Sequence, residues 1–337
     1  MKAIIPLAGR GTRLRPHTLT TPKPLVRVAG KPVMSYILDD FPALGIDEVV
    51  FIVGYLRDEV KRYISESYPD LTAHFVVQEV QDGTAGAIKL AEPYVDGDVL
   101  IVFVDTLFDA DLTLPSKLES EWSGVIWAKE VEDYQRFGVI VTDEDGGMTR
   151  IVEKPSEPIS RLANIGLYYI RDSPLLFEGI NDVLSSGDPG PGGEFYLTDA
   201  FQYMVDKGAR IRTAPVEGWY DCGKVETVLE TNGHLVETGR GGIDPAARLG
   251  DDVQVEGANR VEPDVRVSGS TVGPHVTLER GAVVENSSLR NCIVGAEAQI
   301  RNAHLRDSIV GSRAVVDGVR GRANVAEYAE IVTSDEG

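Results

Sequence analysis

The sequence predicts two successive folds, an α/β domain with a mixed central sheet followed by a C-terminal parallel β-helix. Three observations predict them. Over the first hundred residues, short Val- and Ile-rich runs alternate with segments of helical period, which is typical of a parallel sheet covered by helices. Beyond Asp105, strand patterns follow one another directly. After residue 245 the helical period almost disappears, and aliphatic residues recur at six-residue steps.

The first part of the chain has a βαβαβαβ pattern in which each strand ends in a polar or glycine-bearing loop. Its strands are predicted at Lys2–Leu7, Glu48–Val53, His74–Gln78 and Val99–Val104. Its helices are predicted at Pro32–Leu44, Arg57–Ser67 and Thr84–Ala91. Pro32 suits the first turn of a helix, where its missing N–H costs no hydrogen bond.

The middle of the chain predicts a mixed or antiparallel extension of the sheet, with Asp145-Gly146 as a hairpin turn. Strands are expected at Gly124–Ala128, Phe137–Val141, Met148–Val152, Ile165–Ile170 and Ile211–Pro215. Helices are expected at Pro174–Leu184, Leu197–Lys207 and Val225–Glu237. The glycine-rich run 238–242 then breaks the chain, which predicts domains at residues 1–238 and 245–333.

The C-terminal region repeats apolar residues at six-residue steps, as at Val272, Leu278 and Val284. The triplet Ile293-Val294-Gly295 returns sixteen residues later as Ile309-Val310-Gly311. Such spacing suits a coiled parallel β-structure in which stacked coils bury a shared core. Because sixteen is not a multiple of six, the register is imperfect, and a Greek-key or jelly-roll barrel is the alternative.

Composition limits the partners that the chain can have. It has 337 residues, with 33 Lys and Arg against 53 Asp and Glu, and a net charge of -20. Such a surface repels nucleic-acid phosphates. The two cysteines, Cys222 and Cys292, exclude a disulfide scaffold and a cysteine zinc site. No apolar run approaches the ~18 residues of a membrane span, so a cytoplasmic protein without nucleic-acid or membrane partners is expected.

The strongest local motif directly follows the first strand. Residues 7–16 read LAGRGTRLRP, and Pro22-Lys23-Pro24 follows them. A glycine-rich turn at the carboxyl end of a strand lets backbone N–H groups approach a phosphate closely, and Arg13 and Lys23 would supply charge. Leu14 stands where a dinucleotide site needs a third glycine, and no Gly-Lys-Ser/Thr closes a P-loop, so dehydrogenases and P-loop NTPases are excluded.

These motifs resemble the signature of the sugar-1-phosphate nucleotidyltransferases, Ala-Gly-x-Gly-Thr-Arg-x-x-Pro followed by Pro-Lys-Pro. Further family-like motifs follow in the same order, namely Glu153-Lys154-Pro155, Asn164-x-Gly166-x-Tyr168, Gly193–Ala200 and Trp219-Tyr220-Asp221-x-Gly223. The resemblance covers residues 1–235 and implies a Rossmann-like nucleotidyltransferase domain. The repeats after residue 245 resemble the left-handed β-helix that many members append, which would pack against the domain or against a second copy of the chain in a homo-oligomer.

In the reaction that the resemblance implies, a sugar-1-phosphate oxygen attacks the α-phosphorus of a nucleoside triphosphate, and pyrophosphate leaves. The implied catalytic cations are Arg13 for the triphosphate, Lys23 for the α-phosphate and Lys154 for the sugar phosphate. The implied nucleotide-binding residues are Leu7, Ala8, Gly9, Gly11, Thr12, Gln78 and Gly83. The implied sugar-binding residues are Gly138, Glu153 and Asn164, and Asp105 and Asp221 would hold Mg²⁺.

Several of these residues have plainer explanations. Asp105 suits a helix N-cap or a turn, and Glu153 with Lys154 suits an exposed ion pair at a strand end. His275 and His304 raise the alternative of an acyltransferase on the β-helix, although isolated histidines are more often structural.

The motifs disagree about which nucleobase the protein binds. The tight Gly9-Arg10-Gly11 spacing resembles uridylyltransferases, whereas the Gln78–Gly83 spacing and Pro-Lys-Pro-Leu resemble thymidylyl- or guanylyltransferases. We expect dTTP or UTP with glucose 1-phosphate. The alternatives are GTP with mannose 1-phosphate, and a non-catalytic regulatory subunit that binds nucleotide sugars.

Overall fold

The computed structural model describes residues 1–190 and 192–333 and divides the chain into two compact units. The first unit combines Met1–Gly9 with Ile37–Trp219. The second combines Arg10–Tyr36 with the chain from Tyr220 onward. The units therefore do not follow chain order, since an early segment belongs with the C-terminal region. The domain boundaries 1–238 and 245–333 stay a prediction, which concerns the point in the chain where the α/β fold gives way to the β-helix.

The strands of the first unit come in the order β1 (Lys2–Pro6), β2 (Glu48–Val53), β3 (Thr72–Val77), β4 (Val99–Val102), β5 (Thr106–Asp109), β6 (Gly124–Glu130), β7 (Gly138–Thr142), β8 (Met148–Glu153), β9 (Leu162–Ile170) and β10 (Ile211–Pro215). All but β5 form one sheet of nine strands within the described residues. Its main order is β8-β7-β9-β4-β1-β2-β3, and β6 pairs with β9 and β10.

The sheet is mixed, as the sequence predicts. Strands β4, β1, β2 and β3 run parallel, whereas β9 is antiparallel to β4, β6 and β7. The residues Ala3–Ile5 of β1 and Val49–Val53 of β2 are fully buried, because helices cover both faces of a parallel sheet, and this burial explains the unbroken apolar runs. The turn at Asp145-Gly146 is confirmed, since it joins the antiparallel strands β7 and β8 with Gly146 at φ 79°.

The helices of the chain are α1 (Val33–Leu38), α2 (Arg57–Ser67), α3 (Thr84–Lys89), α4 (Leu114–Lys117), α5 (Ser173–Ser185), α6 (Leu197–Asp206) and α7 (Val225–Leu235). Helices α3, α5 and α6 contribute Ile88, Ile180 and Phe201 to the apolar core of the first unit. None of the helices within the described residues is both long and apolar enough to cross a bilayer.

Several predicted element boundaries differ from the observed ones, and three of the differences affect a helix or strand end near a turn. The predicted helix Pro32–Leu44 ends at Leu38, and a separate 3₁₀ turn covers Pro42–Leu44, because a proline inside a helix lacks the N–H that the helix needs. The strand predicted to reach Val104 ends at Val102. The helix predicted to reach Glu237 ends at Leu235, where a π-type turn begins that contains Gly239 at φ 129°.

The C-terminal region of the second unit is a parallel β-helix, which excludes the barrel alternative. Its coils form three parallel ladders, called here side 1, side 2 and side 3. Side 1 contains Gly242–Ile243, Arg260–Val261, Val276–Leu278, residues 292–294 and 308–310, and Asn324–Val325. Side 2 contains Arg248–Leu249, Arg266–Ser268, Val283–Glu285, Gln299–Arg301, Val315–Asp317 and Glu330–Val332. Side 3 contains Gln254–Val255, Thr271–Val272, residues 288–290 and 304–306, and Arg320–Gly321.

The predicted core positions of the β-helix are confirmed. Val272, Leu278 and Val284 are at most 1% exposed, and they belong to sides 3, 1 and 2 in turn. The imperfect register also has an explanation. Val267 pairs with Val284, seventeen residues on, whereas Val284 pairs with Ile300, sixteen residues on. The coils therefore differ in length at their corners while the apolar side chains remain stacked.

Candidate active site

In the first unit, the predicted nucleotide-binding residues Leu7, Ala8 and Gly9 follow β1 at the carboxyl edge of the sheet. The Leu7 N–H donates to the Ile52 carbonyl at 2.6 Å, and the Gln81 side chain donates to the Ala8 carbonyl at 2.8 Å. A Cβ on Gly54 would lie 2.8 Å from the same Ala8 oxygen. No sequence pattern indicated Gln81 or Gly54, because their contacts with Ala8 join strand ends that are far apart in the chain.

Gln78 and Gly83 lie together in the loop before α3. The Gln78 Nε2 donates to the Asp82 carboxylate at 3.2 Å and to the Gly83 carbonyl at 3.3 Å. Gly83 has φ 118°, and a Cβ there would lie 2.3 Å from the Phe195 carbonyl oxygen. Phe195 in turn donates its N–H to the Asp82 carbonyl at 2.8 Å. The predicted base-reading loop is therefore fixed against the Gly193–Ala200 motif, and only glycine fits at position 83.

The three predicted sugar-binding residues come together in the first unit, although they lie on three different strands. The Asn164 Nδ2 donates to the Gly138 carbonyl at 2.8 Å. A Cβ on Gly138 would lie 2.3 Å from Asn164 Nδ2 and 2.8 Å from Glu153 Oε2. Glycine at 138 thus lets an amide and a carboxylate, two groups suited to binding hydroxyls, pack closely against the backbone. We call Gly138, Glu153, Asn164 and the neighbouring Lys154 the sugar cluster.

Two buried hydroxyl groups orient the sugar cluster. The Tyr168 hydroxyl donates to Asn164 Oδ1, which fixes the orientation of the amide. The Thr198 hydroxyl donates to Glu153 Oε2 at 3.2 Å. Burial raises the pKa of the Glu153 carboxyl, and the charge of Lys154 opposes that shift. Burial also raises the pKa of Tyr168, with the negative charges of Glu153 and Asp105 adding to it.

Lys154 is held by an aromatic side chain that the sequence analysis did not assign. Its Nζ donates to the Tyr196 hydroxyl at 2.9 Å, lies 4.5 Å from the centre of the same ring, and lies 3.8 Å from Glu153 Oε1. Burial alone would lower the pKa of Lys154, but Tyr196 and Glu153 leave it raised. Lys154 therefore stays positively charged. Glu153 has a side chain only 15% exposed, which argues against the plain surface ion pair.

Asp105 lies in the turn between β4 and β5, half-buried. This position matches the turn alternative and not a helix N-cap. It is also a position at the carboxyl end of a central strand, where ligands of α/β sheets bind. The role of Asp105 as a metal ligand stays a prediction.

In the second unit, the structure brings Gly11 and Lys23 together. Gly11 has φ 59°, and a Cβ there would lie 3.0 Å from the Cβ of Lys23 and 3.1 Å from Thr18 Cγ2. The Thr18 hydroxyl donates to the Gly11 carbonyl at 2.7 Å. The loop that connects the glycine-rich motif to Pro22-Lys23-Pro24 is therefore held together by contacts between its own residues. Thr12 lies in the first 3₁₀ turn of this loop.

Arg13 and Asp221 both lie beside Gly223, also within the second unit. The Gly223 N–H donates to Asp221 Oδ1 at 2.7 Å. A Cβ on Gly223 would lie 2.8 Å from the same oxygen and 3.5 Å from Arg13 Nη2. Glycine at 223 thus lets a guanidinium and a carboxylate approach one backbone position.

Asp105 belongs to the first unit and Asp221 to the second. Among residues 1–190 and 192–333, no three His, Cys, Asp or Glu side chains group closely enough to hold a metal ion. Each carboxylate taken by itself fits the donor chemistry of Mg²⁺, because this ion takes few protein ligands and completes its shell with water and phosphate oxygens.

The comparisons with known proteins agree with one another. Residues 2–238 match the family model described as nucleotidyl transferase. The chain is 30% identical to a glucose-1-phosphate thymidylyltransferase of Streptomyces antibioticus, across 89% of this chain and 88% of that protein. It is 31% identical to the UTP–glucose-1-phosphate uridylyltransferase AglF of Haloferax volcanii, across 70% of this chain and 97% of that protein.

A solved structure shares the fold. UDP-glucose pyrophosphorylase, complexed with UDP-glucose, matches at a TM-score of 0.62 and 24% identity, across 69% of this chain and 97% of that chain. The mixed sheet and its helices therefore form an arrangement already seen by experiment.

Proposed function

Because the chain belongs to the nucleotidyl transferase family, and is a sugar-1-phosphate nucleotidyltransferase like its relatives, we propose that it joins dTTP or UTP to glucose 1-phosphate. The products are the nucleotide sugar and pyrophosphate. The observation that supports a sugar phosphate most directly is the sugar cluster, in which Gly138 lets Asn164 and Glu153 come close together while Lys154 adds a positive charge.

On the sugar side, the hydrogen bonds already present determine what each group offers. Asn164 uses one amide N–H on Gly138 and its oxygen on Tyr168, so its second N–H remains to donate to a sugar hydroxyl. The Glu153 carboxylate accepts hydrogen bonds from sugar hydroxyls. Lys154 neutralises the sugar phosphate, and the Tyr196 hydroxyl holds its ammonium group near the cluster.

On the nucleotide side, Gln78 limits which bases fit. Both of its hydrogen bonds to the described residues are donated by Nε2, toward Asp82 and Gly83. Those two acceptors orient the amide and leave Oε1 to accept a hydrogen bond from the base. Thymine and uracil offer N3–H and guanine offers N1–H, whereas the corresponding ring nitrogens of cytosine and adenine only accept, and their exocyclic amines donate from a different position. This chemistry favours dTTP, UTP and GTP over CTP and ATP.

The phosphates require positive charge, since two anionic reactants must meet. Arg13 would bind the triphosphate, and Lys23 would stabilise the charge that shifts on the α-phosphate. Mg²⁺ would neutralise the leaving pyrophosphate, with Asp105 and Asp221 each a candidate ligand. The chain has only two cysteines, Cys222 and Cys292, and both are buried, which suits a reducing compartment. We place the reaction in the cytoplasm.

Pyrophosphate release tests the proposal, with five nucleoside triphosphates each paired with glucose 1-phosphate and with mannose 1-phosphate in the presence of Mg²⁺. We expect turnover with dTTP or UTP and glucose 1-phosphate, and none with CTP or ATP. Turnover confined to GTP with mannose 1-phosphate would replace the proposed substrates. Folded protein that binds nucleotide sugars by calorimetry and turns over no pair would be a regulatory subunit, and the proposed function would be wrong.

The acyltransferase alternative has a separate test. His275 Nε2 lies 2.6 Å from Glu237 Oε1, and His304 is exposed on side 3. Acetyl-CoA turnover by the full chain would support it.

A further inference from the structure

The segment Arg10–Tyr36, which contains Arg13 and Lys23, has little regular structure of its own. It contains 3₁₀ turns at Thr12–Leu14, His17–Leu19 and Lys23–Leu25, a pair of two-residue strands, Arg27–Val28 and Lys31–Pro32, and the first turn of α1. Turns and strands this short are marginally stable alone in water. Contacts with other parts of the second unit must therefore hold the segment, which we call the nucleotide segment.

Asn232 of α7 is the centre of the first such contact. It is fully buried. Its Oδ1 accepts the Ala29 N–H at 3.0 Å and the Thr277 hydroxyl at 2.7 Å, and its Nδ2 donates to the His275 carbonyl at 3.1 Å. One amide thus joins the backbone of the nucleotide segment to α7 and to side 1 of the β-helix. Buried polar groups that satisfy one another in this way fix a single arrangement.

Glu279 makes the second contact. It is 3% exposed, and its Oε1 accepts from Arg27 Nε at 2.7 Å. The same guanidinium donates to the Gly30 carbonyl, so the turn after Arg27 is tied to the β-helix through one side chain. A Cβ on Gly30 would lie 2.2 Å from Arg260 Nε, and this spacing shows how closely the turn approaches the coil. A buried carboxylate is costly without such a partner.

Later coils contact the earlier part of the nucleotide segment. The Thr21 hydroxyl lies 3.1 Å from Glu327 Oε1. His17 is 7% exposed, and a hydrogen bond links its side chain to Asn324 on side 1. The contacts thus extend from the coil at Thr277 to the last described coil.

From this arrangement we propose that side 1 of the β-helix, with Asn232, positions the nucleotide segment, so that Asn232 and Thr277 act as positioning residues for binding the nucleoside triphosphate. The proposal rests on the proposed function, because it assigns the nucleotide segment to that substrate. It also gives the β-helix a role in the reaction without any catalytic group of its own.

The comparison with AglF raises an alternative in which the β-helix is not needed to position the nucleotide segment. The match spans 97% of AglF but only 70% of this chain, so roughly a third of this chain has no counterpart there. A nucleotide segment that supports itself is therefore the rival explanation. It predicts that changes inside the β-helix leave nucleotide binding untouched.

The test compares two buried hydroxyl groups of side 1 in the full chain. Thr277→Val removes the hydroxyl that donates to Asn232. Ser308→Ala removes a fully buried hydroxyl that donates to the Arg306 carbonyl and accepts the Ala323 N–H, both within the β-helix. We expect Thr277→Val to raise the KM for the nucleoside triphosphate about fivefold, with the KM for sugar phosphate within about twofold. Thr277→Ser, which keeps the hydroxyl, should restore the wild-type value.

Limited trypsin digestion gives a readout that needs no activity. Arg10, Arg13 and Arg27 are cleavage sites in the nucleotide segment, and cleavage there reports local opening. We expect faster cleavage at these sites in Thr277→Val than in Ser308→Ala. If Thr277→Val does not fold, Thr21→Val, which removes the contact with Glu327, should show the same direction with a smaller change.

Equal nucleotide KM and equal cleavage in Thr277→Val and Ser308→Ala would overturn the positioning role. A wild-type chain that turns over no substrate pair would instead overturn the proposed function. In that case the cleavage comparison still decides whether side 1 holds the nucleotide segment, so the two failures are distinguishable.

Discussion

The sugar cluster and the nucleotide segment are built in opposite ways. Gly138, Glu153 and Asn164 lie on β7, β8 and β9, which pair side by side in the central sheet. Before the first turn of α1, the nucleotide segment has only 3₁₀ turns and two-residue strands, and it makes hydrogen bonds to Asn232 of α7 and to Glu279 of the β-helix. A site on sheet strands inherits its geometry from the ladder, whereas a site on turns needs a separate support.

The difference predicts two kinds of sensitivity. Substitutions in the sugar cluster act directly, because they fill or empty the space between its groups. Substitutions that affect the nucleotide segment can act from a distance, through buried partners such as Asn232 and Glu279.

The largest effect is expected from Gly138→Ala. The new Cβ would overlap Asn164 Nδ2 and approach Glu153 Oε2, and displacing either group by about 1 Å costs on the order of 10²-fold in rate. We expect kcat/KM for the sugar phosphate to fall by at least that factor, measured by pyrophosphate release. Gly97→Ala is the matched control, because a Cβ there meets no atom within 4 Å. Normal turnover by Gly138→Ala would mean that the sugar binds elsewhere.

The next largest expected effect is a loss of stability in the second unit. Arg27→Met leaves the buried carboxylate of Glu279 without its cationic partner, and an uncompensated buried charge costs about 3 kcal/mol. We expect urea-induced unfolding to report a loss of that size. The double variant Arg27→Met with Glu279→Leu should recover most of it, because the unpaired charge is gone. A single variant as stable as the wild type would show that Glu279 does not anchor the segment.

The sequence predicts the regular parts of the fold well. Glu48–Val53, Arg57–Ser67 and Ile211–Pro215 appear with the bounds that their patterns indicate, since buried strands and amphipathic helices leave local signals. Short family-like motifs also singled out Glu153, Lys154 and Asn164, which the structure brings together. Their role in binding a sugar stays a prediction.

The residues that hold the nucleotide segment in place could not be predicted from local sequence patterns. Asn232 contacts Ala29, 203 residues away in the chain, and no local pattern reports such a pair. One signal was present, since Asn232 falls on the apolar stripe of α7 with Val225, Val228 and Leu229. A polar residue on a buried stripe indicates a hydrogen-bonding partner elsewhere in the fold.

A smaller effect is expected from Tyr196→Phe. This substitution distinguishes the sugar cluster from the nucleotide segment, because each region is proposed to bind a different substrate. Tyr196→Phe keeps the ring over Lys154 but removes the hydroxyl that accepts from Nζ. The loss of one hydrogen bond to a charged group that other contacts still hold is worth about 1 kcal/mol. We expect the KM for sugar phosphate to rise about fivefold while the KM for the nucleoside triphosphate stays unchanged. The reverse pattern would show that Lys154 serves the nucleotide.

The smallest effect is a pH dependence that arises in the nucleotide segment. Burial lowers the pKa of His17 to about 4, against an ordinary value of 6.5. Between these values the unfolded chain binds a proton that the folded chain does not, so acidification favours unfolding. We expect this group to cost about 1 kcal/mol of stability between pH 6 and pH 5.

The measurement for His17 is a difference between two proteins, since other groups titrate in the same range. Urea midpoints of the wild type and His17→Gln at pH 6 and pH 5 should converge as the pH falls, because glutamine takes up no proton. A constant gap between them would mean that His17 is not buried as a neutral ring. Trypsin cleavage at Arg13 and Arg27 should accelerate on acidification in the wild type more than in His17→Gln, if the loss is local to the nucleotide segment.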